Sequence, residues 1–191
     1  MRGLYALKPW YTRRLDGFVQ AAVRRGTSPD VFTWLGVLSA ALAAVAIALG
    51  WWPLVLVFLA GRLAGANLDG AVARARGVSR PWGFVLNEIG DRASDLLMFA
   101  GLAVLADGPE QVTWVLVAAV CATLPTFASL AGAGAGAPRL NGGPWGKTER
   151  CAVVVVATAF PALLGLWAGL IAVGSLTTTV LRLRRVRAVL A

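Results

Sequence analysis

Long apolar runs dominate this chain, and short polar clusters punctuate them. The runs cover residues 31–49, 53–73, 82–106, 112–130, 150–164 and 166–181. Most approach the roughly 20 residues that an α-helix needs to cross a bilayer core of about 30 Å. The boundaries carry turn and interface signals. Gly50-Trp51-Trp52-Pro53 closes the first run with interfacial aromatics, and Pro125 predicts a kink inside the fourth. The last two runs divide near Pro161-Ala162-Leu163-Leu164-Gly165. Ahead of them the pattern changes. Trp10, Tyr11, Leu15, Phe18, Val19, Ala22 and Val23 recur at helical spacing, flanked by Arg13, Arg14, Arg24 and Arg25. Residues 1–26 lack the apolar stretch and cleavage site of a secretory signal. They predict an amphipathic helix lying in the membrane interface. Thr27-Ser28-Pro29-Asp30 then supplies a cap and a first-turn proline for the next helix.

The expected fold is therefore all-α and integral to the membrane: six transmembrane helices preceded by an amphipathic interfacial helix. Residues 1–26 form that first helix, 27–182 the six-helix domain and 183–191 a basic tail. Composition agrees, with 58% hydrophobic residues and a mean hydropathy of +0.72. The excess of 18 Lys and Arg over nine Asp and Glu does not indicate a nucleic-acid binder, because the basic residues sit in short clusters between apolar runs. Those clusters alternate. Basic residues precede the first run, follow the second (Arg74, Arg76, Arg80), separate the fourth from the fifth (Arg139, Lys147, Arg150) and follow the sixth (Arg182, Arg184, Arg185, Arg187). The positive-inside rule then puts both termini on the cytoplasmic side of the cell membrane, and the basic 74–80 loop puts the adjoining acidic site there too. With no histidine, His-based triads and His-ligated zinc are excluded. Cys121 and Cys151 read as small apolar packing residues.

Four of the nine acids fall within residues 66–95: Asp69, Glu88, Asp91 and Asp95. Carboxylates at membrane depth cost roughly 2.5–3.5 kcal/mol each on insertion scales and mark a functional site by default. Asn87, Asp91 and Asp95 recur at i, i+4, i+8, and Glu88 shares their helix face. Asp69 ends an earlier helix, and Gly70 after it permits close approach. Two helices aiming carboxylates at one point suit a hard cation such as Mg²⁺ or Mn²⁺. The competing reading is a salt-bridge net with Arg62, Arg74, Arg76 and Arg92.

The stretch resembles the signature of the CDP-alcohol phosphotransferases, D-x2-D-G-x2-A-R-x8-G-x3-D-x3-D. Asp69, Gly70, Ala73, Arg74, Gly83 and Asp91 match in register, while Ala66 and Asn87 stand where the family has its first and third aspartates. The helix 87–95 also resembles a less typical branch reading N-E-x-G-D-x-x-S-D. In typical members four aspartates hold a pair of divalent ions, and the fourth activates the acceptor hydroxyl. The resemblance implies a metal site drawn from Asp69, Asn87, Glu88, Asp91 and Asp95, with Mg²⁺ or Mn²⁺ as cofactor. It implies Asp91, or Asp95 in this variant, as the base. Asp69, Gly70, Ala73, Arg74 and Gly83 would bind the nucleotide. Gly146-Lys147-Thr148-Glu149-Arg150 resembles the family's G-K-x-K-T, so Lys147 and Arg150 would hold a phosphate of lipid or acceptor.

The implied reaction transfers a phosphatidyl group from a CDP-linked lipid such as CDP-diacylglycerol to a polar alcohol, releasing CMP, in phospholipid synthesis. A homodimer is possible, since dimers are common in the family. Two other readings stay open: a degenerate member that binds nucleotide or lipid without turnover, and a small transporter lined by the same acids. The residues between Ala131 and Arg150, rich in Gly and Ala, read by default as a linker.

Overall fold

The computed structural model describes residues 8–191, which are helical apart from turns and one long loop. The helices are α1 (Lys8–Arg24), α2 (Pro29–Ala48), α3 (Trp52–Ala75), α4 (Pro81–Leu105), α5 (Pro109–Gly134), α6 (Lys147–Ala159) and α7 (Leu164–Leu190), with a 3₁₀ turn at Pro161–Leu163 between the last two. Proline opens four of the six helices after α1 at their first or second residue, where a missing N–H costs nothing. Gly26, Gly50, Gly77 and Gly108 close the preceding turns with positive φ.

Four stretches are long and apolar enough to cross a membrane: Pro29–Ala48, Trp52–Ala75, Pro109–Gly134 and Pro161–Leu190. Two of the six expected spans fall outside that set for physical reasons. Helix α4 carries Glu88, Asp91, Arg92 and Asp95 in its first four turns. Helix α6 has 13 residues, about 20 Å of rise, which is short for a bilayer core. The basic residues after Leu181 continue α7 as helix through Leu190.

The chain divides into two compact units, one ending at Gly101 and the other running from Leu102 to Ala191. In the first, α1 lays Leu15, Val19 and Ala22 against Leu68 and Val72 of α3. Phe18 stays 64% exposed, and the side chains of Trp10 and Tyr11 lie outside the described residues. Helices α2 and α3 cross with their backbones touching. A Cβ on Gly65 would sit 2.6 Å from the Phe32 carbonyl oxygen and 2.8 Å from the Gly36 Cα. Helix α4 approaches α2 through two more glycines: a Cβ on Gly90 would meet Thr33 at 3.0 Å, and one on Gly101 the Ala44 carbonyl at 2.6 Å. Small residues at crossings are how apolar helices gain close packing where lipid removes the hydrophobic drive between them. The opposite face of α2 turns Trp34, Leu38, Leu42 and Val45 outward, as a lipid-facing surface requires.

In the second unit, α5 and α7 pack together, with Val186 of α7 against Gly132 of α5. The loop that composition marked as a linker is pinned to them. Thr178 Oγ1 accepts from the Trp145 N–H and donates to the Trp145 carbonyl, both at 3.1 Å. Arg182 donates to the carbonyls of Gly142 (2.8 Å) and Pro125 (2.6 Å), and Ser129 Oγ donates to the Leu140 carbonyl. Gly142 and Gly143 take positive φ to make the turn.

Candidate active site

Within the first unit, α2, α3 and α4 line a small open cleft. Its lining comprises Thr33, Gly36 and Val37 from α2, Arg62, Ala66 and Asp69 from α3, and Asn87, Gly90, Asp91 and Ser94 from α4. The glycine crossings create it. Backbones held this close leave short side chains at the helix faces nearest the crossing, so Thr33, Ala66 and Asn87 reach a common space.

Asp69 sits at the centre of a donor network. It is 6% exposed. The Thr33 hydroxyl donates to its Oδ2 at 2.9 Å, the Asn87 amide donates to the same oxygen, and the Gly70 N–H donates to Oδ1 at 2.5 Å. Three donors on a buried carboxylate hold it in one orientation. Asp91 lines the same cleft from α4 and is half-buried. Gly70 leaves room for the Arg74 guanidinium, whose Nη1 lies 3.1 Å from where a Gly70 Cβ would be. Ala73 is half-buried on the turn between them, and Gly83 lies on the first turn of α4 beside the Arg80 side chain.

Asp95 is placed differently from its helix neighbours. It is 2% exposed, and both oxygens face guanidinium groups: Oδ1 accepts from Arg62 Nη2 at 2.5 Å, and Oδ2 from Arg92 Nη1 at 2.9 Å. Arg62 itself is 1% exposed and also reaches the Asp91 backbone carbonyl at 3.4 Å. A local salt-bridge net therefore exists, but it draws in Arg62 and Arg92 and not Arg74 or Arg76. Arg76 donates to the Thr27 carbonyl at 2.6 Å, and Arg80 pairs with Asp30, so the loop after α3 is tied to the start of α2. Glu88 is half-buried and is not among the cleft's lining residues. Asn67 donates to the Leu63 carbonyl of its own helix at 2.6 Å and does not turn toward Asp69.

Lys147 and Arg150 occupy the first turn of α6 in the second unit. Glu149 accepts from the Gly146 N–H at 2.8 Å, capping that helix start, and Arg150 is 3% exposed.

Sequence reasoning gave no role to Thr33, Gly36, Gly90 or Ser94, and saw Arg62 only as a pairing partner. Gly36 and Gly65 could have been found as small residues in otherwise bulky apolar runs. Thr33 carries no comparable signal.

The donor set does not fit a pair of divalent ions. Among the described residues no three Asp, Glu, His or Cys side chains assemble a metal site. Among the described residues, Asp69 and Asp91 are the carboxylates that line the cleft. Those two fit one ion, whose remaining ligands must come from substrate oxygens or water.

The family model described as CDP-alcohol phosphatidyltransferase matches residues 26–181. The phosphatidylinositol phosphate synthase of Mycolicibacterium smegmatis is 30% identical over 196 residues, covering 93% of this chain and 85% of that protein. Two solved structures of Mycobacterium tuberculosis phosphatidylinositol phosphate synthase are also similar. The form with CDP-DAG bound has a TM-score of 0.74 at 27% identity, covering 91% of this chain and 94% of that one. The form in complex with manganese and citrate has a TM-score of 0.72 at 28% identity, covering 90% of this chain and 88% of that one.

Proposed function

The chain belongs to the CDP-alcohol phosphatidyltransferase family of membrane transferases, and we propose that it moves a phosphatidyl group from a CDP-linked lipid to a polar alcohol. The observation that carries this is the convergence of Asp69-Gly70-x-x-Ala73-Arg74 on α3 with Asp91 on α4 at one cleft.

The chain's own residues support each part of the reaction. Gly70 and Ala73 keep the α3 surface low beside Arg74, whose guanidinium suits a phosphate of the nucleotide. Thr33, Asn87 and the Gly70 N–H hold the Asp69 carboxylate in one orientation. Asp91 accepts the proton of the alcohol as its oxygen attacks the phosphorus nearest the lipid and CMP departs. Asp69 and Asp91 would hold a divalent ion, Mg²⁺ or Mn²⁺, which would supply charge neutralisation at the pyrophosphate. Six membrane helices with both termini and the cleft on the cytoplasmic side complete the picture, supported by the alternating loop charges. The amphipathic α1 lies in the interface, with Phe18 exposed.

Membranes containing the protein, supplied with CDP-diacylglycerol, Mg²⁺ or Mn²⁺ and a panel of alcohols, should release CMP. Inositol phosphate is the first acceptor to test, given the name of the relatives. Asp91→Ala should lower release at least about 100-fold, the smallest effect expected of a general base. A second reading, binding of nucleotide or lipid without turnover, is favoured by Ala66 and by the Asn87 amide donating to Asp69. CDP-lipid binding with no CMP release under any alcohol or metal would establish it.

A further inference from the structure

We infer that Arg62 is a built-in cation that stands in for one divalent ion at this cleft. The inference rests on reading the cleft as the CDP-lipid site.

Arg62 lies on α3 one helical turn before Ala66, and both residues line the cleft. At 1% exposure in an apolar run, its guanidinium persists only because it is paired. Its partners come from α4: the Asp95 carboxylate and the Asp91 backbone carbonyl. Positive charge is thereby fixed against the turn of α4 that carries Asp91 and Asp95.

The neighbouring substitutions run in the same direction. Ala66 and Asn87 remove two carboxylates that the family signature would place here. The lining together with the ion pairs behind it carries three carboxylates (Asp69, Asp91, Asp95) and two guanidiniums (Arg62, Arg92), a formal charge of −1. An aspartate at 87 would face Asp69 as a like charge and need a cation between them. The Asn87 amide instead donates directly to Asp69, so the two helices are bridged without an ion. Beside Arg62, two positions depart from the signature: Ala66 deletes a carboxylate, and Asn87 replaces one with an amide that donates to Asp69. A site changed this way accommodates one divalent ion at most.

The test counts Mn²⁺ ions by electron paramagnetic resonance titration of the full chain in nanodiscs, without nucleotide or lipid substrate. The wild type should bind no more than one Mn²⁺. Ala66→Asp with Asn87→Asp should bind one, and adding Arg62→Gln to that pair should raise the count to two, with at least a tenfold gain in affinity. Two ions on the wild type would overturn the inference. So would equal binding by the double and triple variants, whatever the number. If the triple variant does not fold, Arg62→Gln alone should bind Mn²⁺ at least fivefold more tightly, while Arg62→Lys keeps the wild-type value; unchanged affinity in Arg62→Gln overturns it. Because no substrate is present, failure of CMP release or of CDP-lipid binding refutes the transferase reading without altering the ion count.

Discussion

Asp95→Asn decides whether Asp95 serves the chemistry or the structure. The substitution keeps the side chain's shape and removes its charge. It removes the carboxylate charge that faces Arg62 at 2.5 Å, where Arg62 is 1% exposed, whereas Arg92 at 25% exposure can still reach outward. Removing one member of a buried pair costs about 3–5 kcal/mol, because the other charge stays uncompensated. Coulomb's law gives the same scale: unit charges about 4 Å apart at an effective dielectric near 20 interact by roughly 4 kcal/mol. For a domain of this size, each kcal/mol moves the melting temperature by about 2–4 °C, so Tm should fall by roughly 6–20 °C. Thermal unfolding in detergent, followed by far-UV circular dichroism, reads this directly. Replacing both residues, Arg62→Leu with Asp95→Leu, should melt above either single variant, since no buried charge is left alone. A Tm for Asp95→Asn within about 2 °C of wild type would refute the counterion reasoning. If CMP release were then also lost, Asp95 would belong with Asp91 in the chemistry.

Two further outcomes test the scaffold and the second unit. Gly65→Ala should force α2 and α3 apart, because the new Cβ would lie 2.6 Å from the Phe32 carbonyl and 2.8 Å from Gly36. The expected cost of about 1–3 kcal/mol should lower Tm by roughly 2–12 °C, and an unchanged Tm would mean the crossing is looser than described. Lys147→Gln with Arg150→Gln should raise the apparent KM for CDP-lipid or acceptor by at least about tenfold if the two cations hold a phosphate, the scale of a lost charge-assisted hydrogen bond. An unchanged KM in a folded, inserted protein would leave them as structural and topological charges.

Element positions were set by the sequence itself. Apolar runs bounded by Pro29, Pro53, Pro81 and Pro109 became helices within a few residues of the expected limits. Proline is favoured in the first turn of a helix and disfavoured in its interior, and no local alternative competes with a helix in an apolar run. The in-register match from Asp69 to Asp91 likewise carried the family, because motif spacing is a property of the chain alone.

Which acid does what was decided by the tertiary structure. Asn87, Glu88, Asp91 and Asp95 share one helix face by periodicity, yet they part company: Asn87 reaches Asp69, Asp91 lines the cleft, and Asp95 turns to Arg62 and Arg92. A face is broad, and its period says nothing of where another helix crosses it. Here that crossing is fixed by Gly36 and Gly65, which let the backbones of α2 and α3 meet, and by Gly90, which lets α4 approach the Thr33 and Val37 side chains. The same limit hid Thr33, 36 residues before the carboxylate it serves, and made the 131–150 segment look like a linker although Thr178 and Arg182 hold it in place. Local pattern determines which groups a helix carries, but their partners depend on contacts between residues far apart in the chain.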